Sequence, residues 1–138
     1  MNSFVTNEAQ YFANLDLVFN AARENNVRLV PSLIWQPLAF CDAVGATNSS
    51  DLYVAGSACN RFATQFITKV VTRYASDDTI LFWELGNELS LSSDLNNGKD
   101  AFCSHQLASF VEQIAIIVKG IDATKMFCTG HAEPRPSA

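Results

Sequence analysis

Basic residues are scarce in this sequence. It contains nine Lys and Arg against fourteen Asp and Glu, which gives a formal net charge of −5. Nucleic acids and anionic membrane surfaces attract basic patches, so we expect no nucleic acid and no membrane among the partners. Long hydrophobic runs are also absent, because the strongest one, residues 114–118, is far shorter than the roughly 20 residues of a membrane span.

A signal peptide is likewise not indicated. Asn7 and Glu8 come soon after Met1, and neither a basic region nor an apolar one follows Met1. We therefore expect no signal peptide in these residues. The localisation stays open, with secretion of a longer parent protein as one alternative.

The four cysteines lack the spacing of a metal site. Cys41, Cys59, Cys103 and Cys128 are separated by 18, 44 and 25 residues, and none of these separations matches a CxxC or zinc-ribbon pattern. The sequence therefore predicts no metal site. Disulfides of undetermined pairing are one interpretation of the cysteines, and small buried hydrophobic residues are the other.

The apolar residues predict three helices that alternate with three strands. Strands are predicted at residues 27–35, 79–85 and 126–129, with an irregularity at Pro31, which lacks the N–H that a sheet needs. Apolar residues at three- and four-residue steps mark the helices. These residues are Tyr11, Leu15, Val18, Phe19 and Ala22 in the first helix, Phe62, Phe66, Ile67, Val70, Val71 and Tyr74 in the second, and Leu107, Phe110, Val111, Ile114, Ile117 and Val118 in the third.

The spacing of these elements indicates an α/β fold with a parallel sheet. Asn7, with Gln10 three residues later, predicts the start of the first helix, and Asn25-Asn26 predicts its end. Residues 36–60 and 89–99 are predicted loops, and a connection as long as the first is usually functional or flexible.

Asn87-Glu88 is the most informative pair in the sequence. It directly follows an apolar segment of strand length, residues 80–85. Such a carboxylate lies at the edge of the sheet where α/β folds place their active sites. Cleavage of a glycosidic bond needs a protonated carboxyl group against the leaving oxygen, together with a second carboxyl group. The pair therefore predicts sugar chemistry and supplies one of the two groups.

The residues around this pair resemble a known family. The string that ends in Trp83-Glu84-Leu85-Gly86-Asn87-Glu88 resembles the fourth-strand region of clan A glycoside hydrolases, most closely glycoside hydrolase family 5, the cellulase and mannanase group. Residues 15–35 resemble the second helix and third strand of that barrel, and residues 119–131 resemble the end of its fourth helix and its fifth strand. The resemblance implies that residues 1–138 are a single, incomplete segment of a catalytic (β/α)8 TIM barrel, about strands three to five.

The family resemblance also implies roles for individual residues. It implies a retaining β-glycosidase that hydrolyses O-glycosyl bonds in β-linked oligo- or polysaccharides, with Glu88 as the general acid/base. Asn87 corresponds to the family's asparagine that hydrogen-bonds a sugar hydroxyl. Trp35 ends the first predicted strand and His131 follows the third, and both are predicted to bind the carbohydrate substrate. The alternatives are a core position for Trp35 and an ordinary hydrogen-bonded side chain for His131. The family's nucleophile is a glutamate on the seventh strand, and no residue here occupies that position. No cofactor is implied, because two carboxyl groups suffice.

Other notable residues are predicted to have structural or surface positions. Glu84 lies four residues before Glu88, so strand alternation aims both the same way, and Glu84 would need a partner inside the barrel wall. Trp83 is predicted to lie in the core, and His105 at the surface. Three loop acids are predicted to be solvated, with a place along a sugar cleft as the alternative: Asp42, Asp51 and Asp94.

Three hypotheses about function follow. The first is a segment of an active glycosidase, and the second is a catalytically inactive barrel fragment. The third is a small α/β binding domain, which is disfavoured because no Gly-rich phosphate loop follows a predicted strand. In the first two cases the isolated chain lacks the nucleophile, and its open sheet edges predict self-association.

Overall fold

The structure is a computed structural model that describes residues 1–93 and 102–131. The elements are α1 (Asn2–Thr6), α2 (Glu8–Glu24), β1 (Ser32–Ile34), α3 (Pro37–Asp42), α4 (Ala58–Tyr74), β2 (Phe82–Gly86), α5 (Ser104–Ile121) and β3 (Met126–Cys128). Short 3-10 helices, Ser49–Tyr53 and Leu89–Ser92, precede α4 and follow β2. The predicted α/β alternation is confirmed. Asp94 and most of the predicted loop at residues 89–99 lie outside the described residues.

Helices α4 and α5 bury the apolar stripes that the sequence predicts for them. Ser57 begins α4, because its Oγ accepts a hydrogen bond from the Asn60 N–H at 2.9 Å. The buried apolar residues of the two helices are Cys59, Ala63, Phe66, Ile67, Val70, Val71 and Tyr74 in α4, and Leu107, Phe110, Ile114 and Val118 in α5. In the described part of the chain, no helix has both the length and the apolar character to cross a membrane.

Helix α2 buries most of the predicted face, but Phe12 is added to it and Val18 is left out. Asn7 begins it as expected, since its Oδ1 accepts from the Gln10 N–H at 3.0 Å. The buried residues are Phe12, Phe19 and Ala22, and the predicted Tyr11 and Leu15 are partly buried against the core. Val18 is 52% exposed. The reason is α1, which the sequence analysis did not predict. Its Phe4 packs edge-to-face against Phe12, with the ring centroids 6.1 Å apart, and draws that side of α2 into the core.

The connection at residues 36–60 is not the loop that its composition predicts. It contains α3, a 3-10 helix and the start of α4, and a Cys41–Cys59 disulfide joins α3 to α4. Both cysteines are fully buried, whereas Cys103 and Cys128 are free thiols. In the chain-entropy description, closing a loop of this length stabilises the fold by roughly 3 kcal/mol.

The three strands form one parallel sheet in the order β1-β2-β3. The predicted irregularity at Pro31 is present as a shift in register. Leu29 lies opposite Ile80, but Ser32 lies opposite Glu84, so the β2 side has one extra residue. The Pro31 carbonyl accepts from the Glu84 N–H at 3.1 Å. Because proline has no N–H to donate, the regular ladder is interrupted here, and β1 is shorter than predicted.

The two faces of the sheet have different surroundings. Trp83 and Leu85 are fully buried on the side of the helices, as predicted for Trp83, and the Trp83 indole N–H donates to the Asp122 carboxylate at 3.0 Å. Alternation places Ser32, Glu84 and Cys128 on the opposite face, where they form one row across the three strands. We call this opposite face the inner face.

Candidate functional site

The candidate site lies where the three parallel strands end. Backbone hydrogen bonds connect the residues after β2 to both neighbouring strands. The Asn87 N–H donates to the Ile34 carbonyl at 3.2 Å, and the Glu88 N–H donates to the Gly130 carbonyl at 2.9 Å. The Asn87-Glu88 pair is therefore held at the centre of this edge, between the residues that follow β1 and β3.

Glu88 has an unusual backbone for an acidic residue at a strand end. Its φ of 52° and ψ of 32° lie in the left-handed region, and it begins the 3-10 helix Leu89–Ser92. Its carbonyl accepts from the Leu91 N–H at 3.0 Å. The Glu88 side chain is exposed, so its carboxyl group is available to a bound molecule.

Glu84 occupies a separate position on the inner face. Strand alternation predicted that Glu84 and Glu88 point the same way, but β2 ends at Gly86. The left-handed backbone of Glu88 means that alternation no longer decides where its carboxylate points. Glu84 is half-buried beside Ser32 and Cys128, and its carboxylate forms no hydrogen bond or ion pair with another described residue. The partner that it was expected to need is therefore not among the described residues.

The surroundings of Glu84 are polar but incompletely paired. The Ser32 Oγ is buried and has no hydrogen-bond partner among the described residues. Removal of the Cys128 thiol from water raises its pKa, and the Glu84 charge adds to that rise. A hydrogen bond with the Gly130 backbone opposes it.

Trp35 and His131 lie at the same edge as Asn87 and Glu88. The indole of Trp35 is 70% exposed, although it directly follows a buried strand. Partial removal of the His131 imidazole from water lowers its pKa, so the ring is largely neutral at pH 7. The fold therefore brings all four predicted residues to the carboxyl ends of adjacent strands: Trp35, Asn87, Glu88 and His131.

A pocket of about 270 Å³ opens beside Trp35. It lies between β1 and helices α1 to α4, and its lining residues include Met1, Tyr11, Ser32, Trp35, Gln36 and Phe40. Its surface is about evenly polar and apolar, and the Ser32 and Gln36 side chains are among its polar groups. A pocket that combines polar groups with an exposed aromatic ring can accommodate a sugar or another small molecule.

Among the described residues, no hydrogen bond or ion pair links the predicted loop acids to this edge. Asp42 is exposed at the end of α3, and Asp51 is half-buried in the 3-10 helix before α4. His105 is exposed, as predicted. Within residues 1–93 and 102–131, no group of three or more His, Cys, Asp and Glu residues is arranged to hold a metal ion.

Sequence reasoning missed the two glycines that shape the site. Gly130 has a φ of +66°, and its carbonyl is the acceptor for the Glu88 N–H. Gly86 packs so tightly that a Cβ there would lie 2.6 Å from the Ile34 carbonyl oxygen. The available signal was the position of each glycine, one at the last residue of a strand and one just beyond a strand, because such glycines often mark close backbone approach.

Comparisons with known proteins agree on one group. No protein-family profile matches the chain. A probable mannan endo-1,4-β-mannosidase A of Aspergillus niger is 26% identical over 135 residues, which are 93% of this chain and 33% of the relative. Mannan endo-1,4-β-mannosidase 2 of Arabidopsis thaliana is 25% identical over 142 residues, 89% of this chain and 31% of the relative. The chain thus spans about a third of the length of the curated relatives it matches.

A solved structure shows the same fold. The crystal structure of the endo-1,4-β-mannanase from Rhizomucor miehei matches 91% of this chain and 40% of its own chain, with a TM-score of 0.67 and 20% sequence identity. This likeness confirms the predicted partial barrel fold. The sequence matches confirm the resemblance to the cellulase and mannanase group.

Proposed function

Because the homologues of this chain are mannan endo-1,4-β-mannosidases, we propose that it is a segment of the catalytic barrel of a β-mannanase. The substrate of the complete enzyme is then a polysaccharide of β-1,4-linked mannose. One observation carries the proposal: an exposed glutamate, preceded by an asparagine, lies at the carboxyl end of the central parallel strand. That edge of a β/α barrel is where catalytic residues lie.

Glu88 is the general acid/base in this proposal. Its protonated carboxyl group donates to the glycosidic oxygen as the bond to the leaving sugar breaks. Its carboxylate then removes a proton from the water that releases the covalent intermediate. The exposed side chain has room for both partners, and the bond from its backbone N–H to Gly130 fixes where the side chain begins.

The second carboxyl group comes from outside the described residues in this proposal. A retaining mechanism needs its two carboxyl groups about 5 Å apart on opposite sides of the bond. Among the described strand ends, only β2 is followed within three residues by an acid; Trp35, Gln36 and Pro37 follow β1, and Thr129, Gly130 and His131 follow β3. The described part of the chain therefore supplies the acid/base half of the site.

Substrate binding is assigned to the neighbours of Glu88. The Asn87 side chain is exposed and has both a donor and an acceptor for a sugar hydroxyl. The exposed Trp35 ring offers a flat apolar face for a pyranose ring, and pockets of this kind combine such faces with a few polar groups. His131, with a lowered pKa, can donate or accept one hydrogen bond in its neutral form.

The experiment uses a complete barrel. Residues 1–131 replace the matching segment of the Aspergillus niger relative, or the longer parent protein is used. Glu88→Ala is expected to slow hydrolysis of β-1,4-mannan by about 100-fold or more, because general acid catalysis contributes roughly 10²–10⁴-fold. Glycosylation by an aryl mannoside with a good leaving group should be largely spared, because it needs little protonation. Added azide should restore turnover and give a product of retained configuration.

The matched control is Glu112→Ala, which removes an exposed acid of α5 and should leave both substrates unaffected. Equal loss on both substrates, with azide giving a product of inverted configuration, would instead make Glu88 the nucleophile. A complete barrel that is inactive with Glu88 intact, although folded, would favour the alternative of a catalytically inactive barrel. The isolated chain is expected to leave mannan uncut in either case, because it lacks the second carboxyl group.

A further inference from the structure

The backbone of Glu88 requires an external constraint. Among the described residues other than glycine, only Asn26, Ser76 and Glu88 have a positive φ. Asn26 follows helix α2 and Ser76 follows helix α4, where such a conformation ends a helix. Glu88 instead follows a strand. A residue held in this sparsely populated region persists only when its surroundings fix it, and such residues cluster at functional sites.

The constraint comes from strand β3. The Glu88 N–H donates to the Gly130 carbonyl at 2.9 Å, and this bond joins the residues after β2 to those after β3. The Leu91 N–H closes the turn on the other side of Glu88 by donating to its carbonyl at 3.0 Å. Only the bond from the Glu88 N–H connects Glu88 to the neighbouring strand end. This bond therefore depends on the position of Gly130.

Gly130 can hold this position only because it has no side chain. A Cβ on Gly130 would overlap the Gly86 carbonyl oxygen, and it would also lie 3.0 Å from the Glu84 Cγ. The Gly86 carbonyl cannot retreat easily, because Gly86 itself is packed against the Ile34 carbonyl and the Leu89 side chain. Two glycines, one at the end of β2 and one just beyond β3, therefore allow the strand ends to approach closely enough for the Glu88–Gly130 bond.

We propose that Gly130 is a positioning residue for the acid/base Glu88, an inference that rests on the proposed function. Its carbonyl orients the Glu88 backbone so that the carboxyl group meets the glycosidic oxygen. A side chain at Gly130 would push the ends of β2 and β3 apart and release Glu88 from its left-handed conformation. A displacement of about 1 Å at a reacting group can cost about 100-fold in rate.

The first measurement uses the complete barrel described above without substitutions, because the isolated chain is expected to self-associate. Hydrogen exchange of the Glu88 amide is followed by mass spectrometry with fragmentation, and a protected amide is expected because its donor is bonded to Gly130. Gly130→Ala should remove that protection. A Glu88 amide that exchanges in the unsubstituted barrel as fast as in an unstructured peptide would overturn the inference, whether or not any variant folds.

The second measurement uses the complete barrel described above. Gly130→Ala should lower kcat for mannan by about 10- to 100-fold, following the cost of a misplaced group. We expect KM to change less than kcat, because the substrate-binding side chains remain. The loss in kcat/KM, which reports formation of the covalent intermediate, should be much smaller for an aryl mannoside with a good leaving group, since that step then does not need the Glu88 proton.

Gly56→Ala is the matched control. Gly56 has a φ of +75°, close to that of Gly130, but a Cβ there would have no atom within 4 Å. It therefore reports the strain of a left-handed alanine without the clash, and its kcat and Glu88 exchange should match those of the unmodified protein. If Gly130→Ala lowers kcat/KM equally for both substrates, Gly130 is only structural and the inference fails. Failure of the proposed function is seen separately, as an active barrel that tolerates Glu88→Ala.

Discussion

A single buried carboxylate organises the base of the central strand. Asp122 is 1% exposed and accepts hydrogen bonds from the Trp83 indole N–H at 3.0 Å, the Ser76 N–H at 3.3 Å and the Thr124 hydroxyl at 2.7 Å. Burial alone would raise the pKa of Asp122, but the hydrogen bonds, led by that of Trp83, outweigh burial and lower it. The ionised form is thus the one that the fold stabilises.

Asp122→Asn should therefore destabilise the fold. The new amide NH2 group would face donors, and a buried polar group left unsatisfied costs about 1–3 kcal/mol. The free energy of unfolding, measured with denaturant at pH 7, should fall by that amount. Asp42→Asn, at an exposed position on α3, is the control and should change it little. An unchanged free energy for Asp122→Asn would show that the network around Trp83 does not stabilise the fold.

At the scale of elements, α2 is held against α4 by a charged contact. Asp16 accepts from the Arg73 Nε at 3.0 Å, from an Arg73 terminal nitrogen at 2.5 Å and from the Tyr74 hydroxyl at 2.7 Å. The Phe19 and Tyr74 rings stack beside it, with the centroids 3.9 Å apart. These hydrogen bonds, Arg73 first, lower the pKa of Asp16 to about 2.

This contact predicts a pH dependence of stability. A carboxyl group with a lowered pKa in the folded state stabilises the fold above its unfolded pKa of about 3.9. That contribution is lost as the pH falls from about 5 toward the folded value of about 2. Over this range, the free energy of unfolding should depend less steeply on pH in Asp16→Asn than in the unmodified chain. Glu24→Gln, an exposed acid of the same helix, should keep the original slope, and an identical slope in Asp16→Asn would contradict the prediction.

How well sequence predicts an element here depends on how much of its environment is local. Helices α4 and α5 have one apolar stripe each, so the spacing alone identifies the buried face. Helix α2 is apolar on more than one side, and the packing of Phe4 decides which side is covered. Pro31 signals its own irregularity, because the missing N–H is a property of the residue. The Cys41–Cys59 disulfide holds the helical structure of residues 36–60 together, and cysteine spacing does not reveal this pairing.

The same distinction applies to the candidate site. The sequence places Trp35, Asn87, Glu88 and His131 at strand ends, because a parallel sheet brings those ends to one edge. It does not reveal the left-handed backbone of Glu88, which depends on Gly130, 42 positions further along the chain. Their contact exists only once β3 pairs with β2, so the geometry of the site is a tertiary property.

At the scale of the whole molecule, the described sheet is incomplete as a barrel wall. β1 and β3 each pair on one side only, and the apolar side chains of Leu81 and Met126 are 50% and 68% exposed. Met126 lies opposite Phe82, which is next to Trp83 in the chain. Because Trp83 faces the helices, alternation places Phe82 and Met126 on the inner face. Helix α2 exposes Leu17 at 66%, and α5 exposes Ile116 at 68%. The two edges, the inner face and both outer helices thus all present surfaces of a kind that normally pack against further structure.

We expect the isolated chain to self-associate for this reason, through the inner face and the open strand edges. Sizing chromatography with light scattering should give masses above that of the monomer, and a dye that binds exposed apolar surface should fluoresce in its presence. Met126→Lys should reduce both signals, because a charge on the inner face of an edge strand opposes pairing. Val54→Lys is the control, since it changes a side chain that is 43% exposed just after the 3-10 helix that precedes α4, away from the sheet. A sharp monomeric peak for the unmodified chain, without dye binding, would mean that these surfaces are tolerated in water. The chain would then behave as a small independent α/β domain, and the case for a barrel segment would rest on its relatives alone.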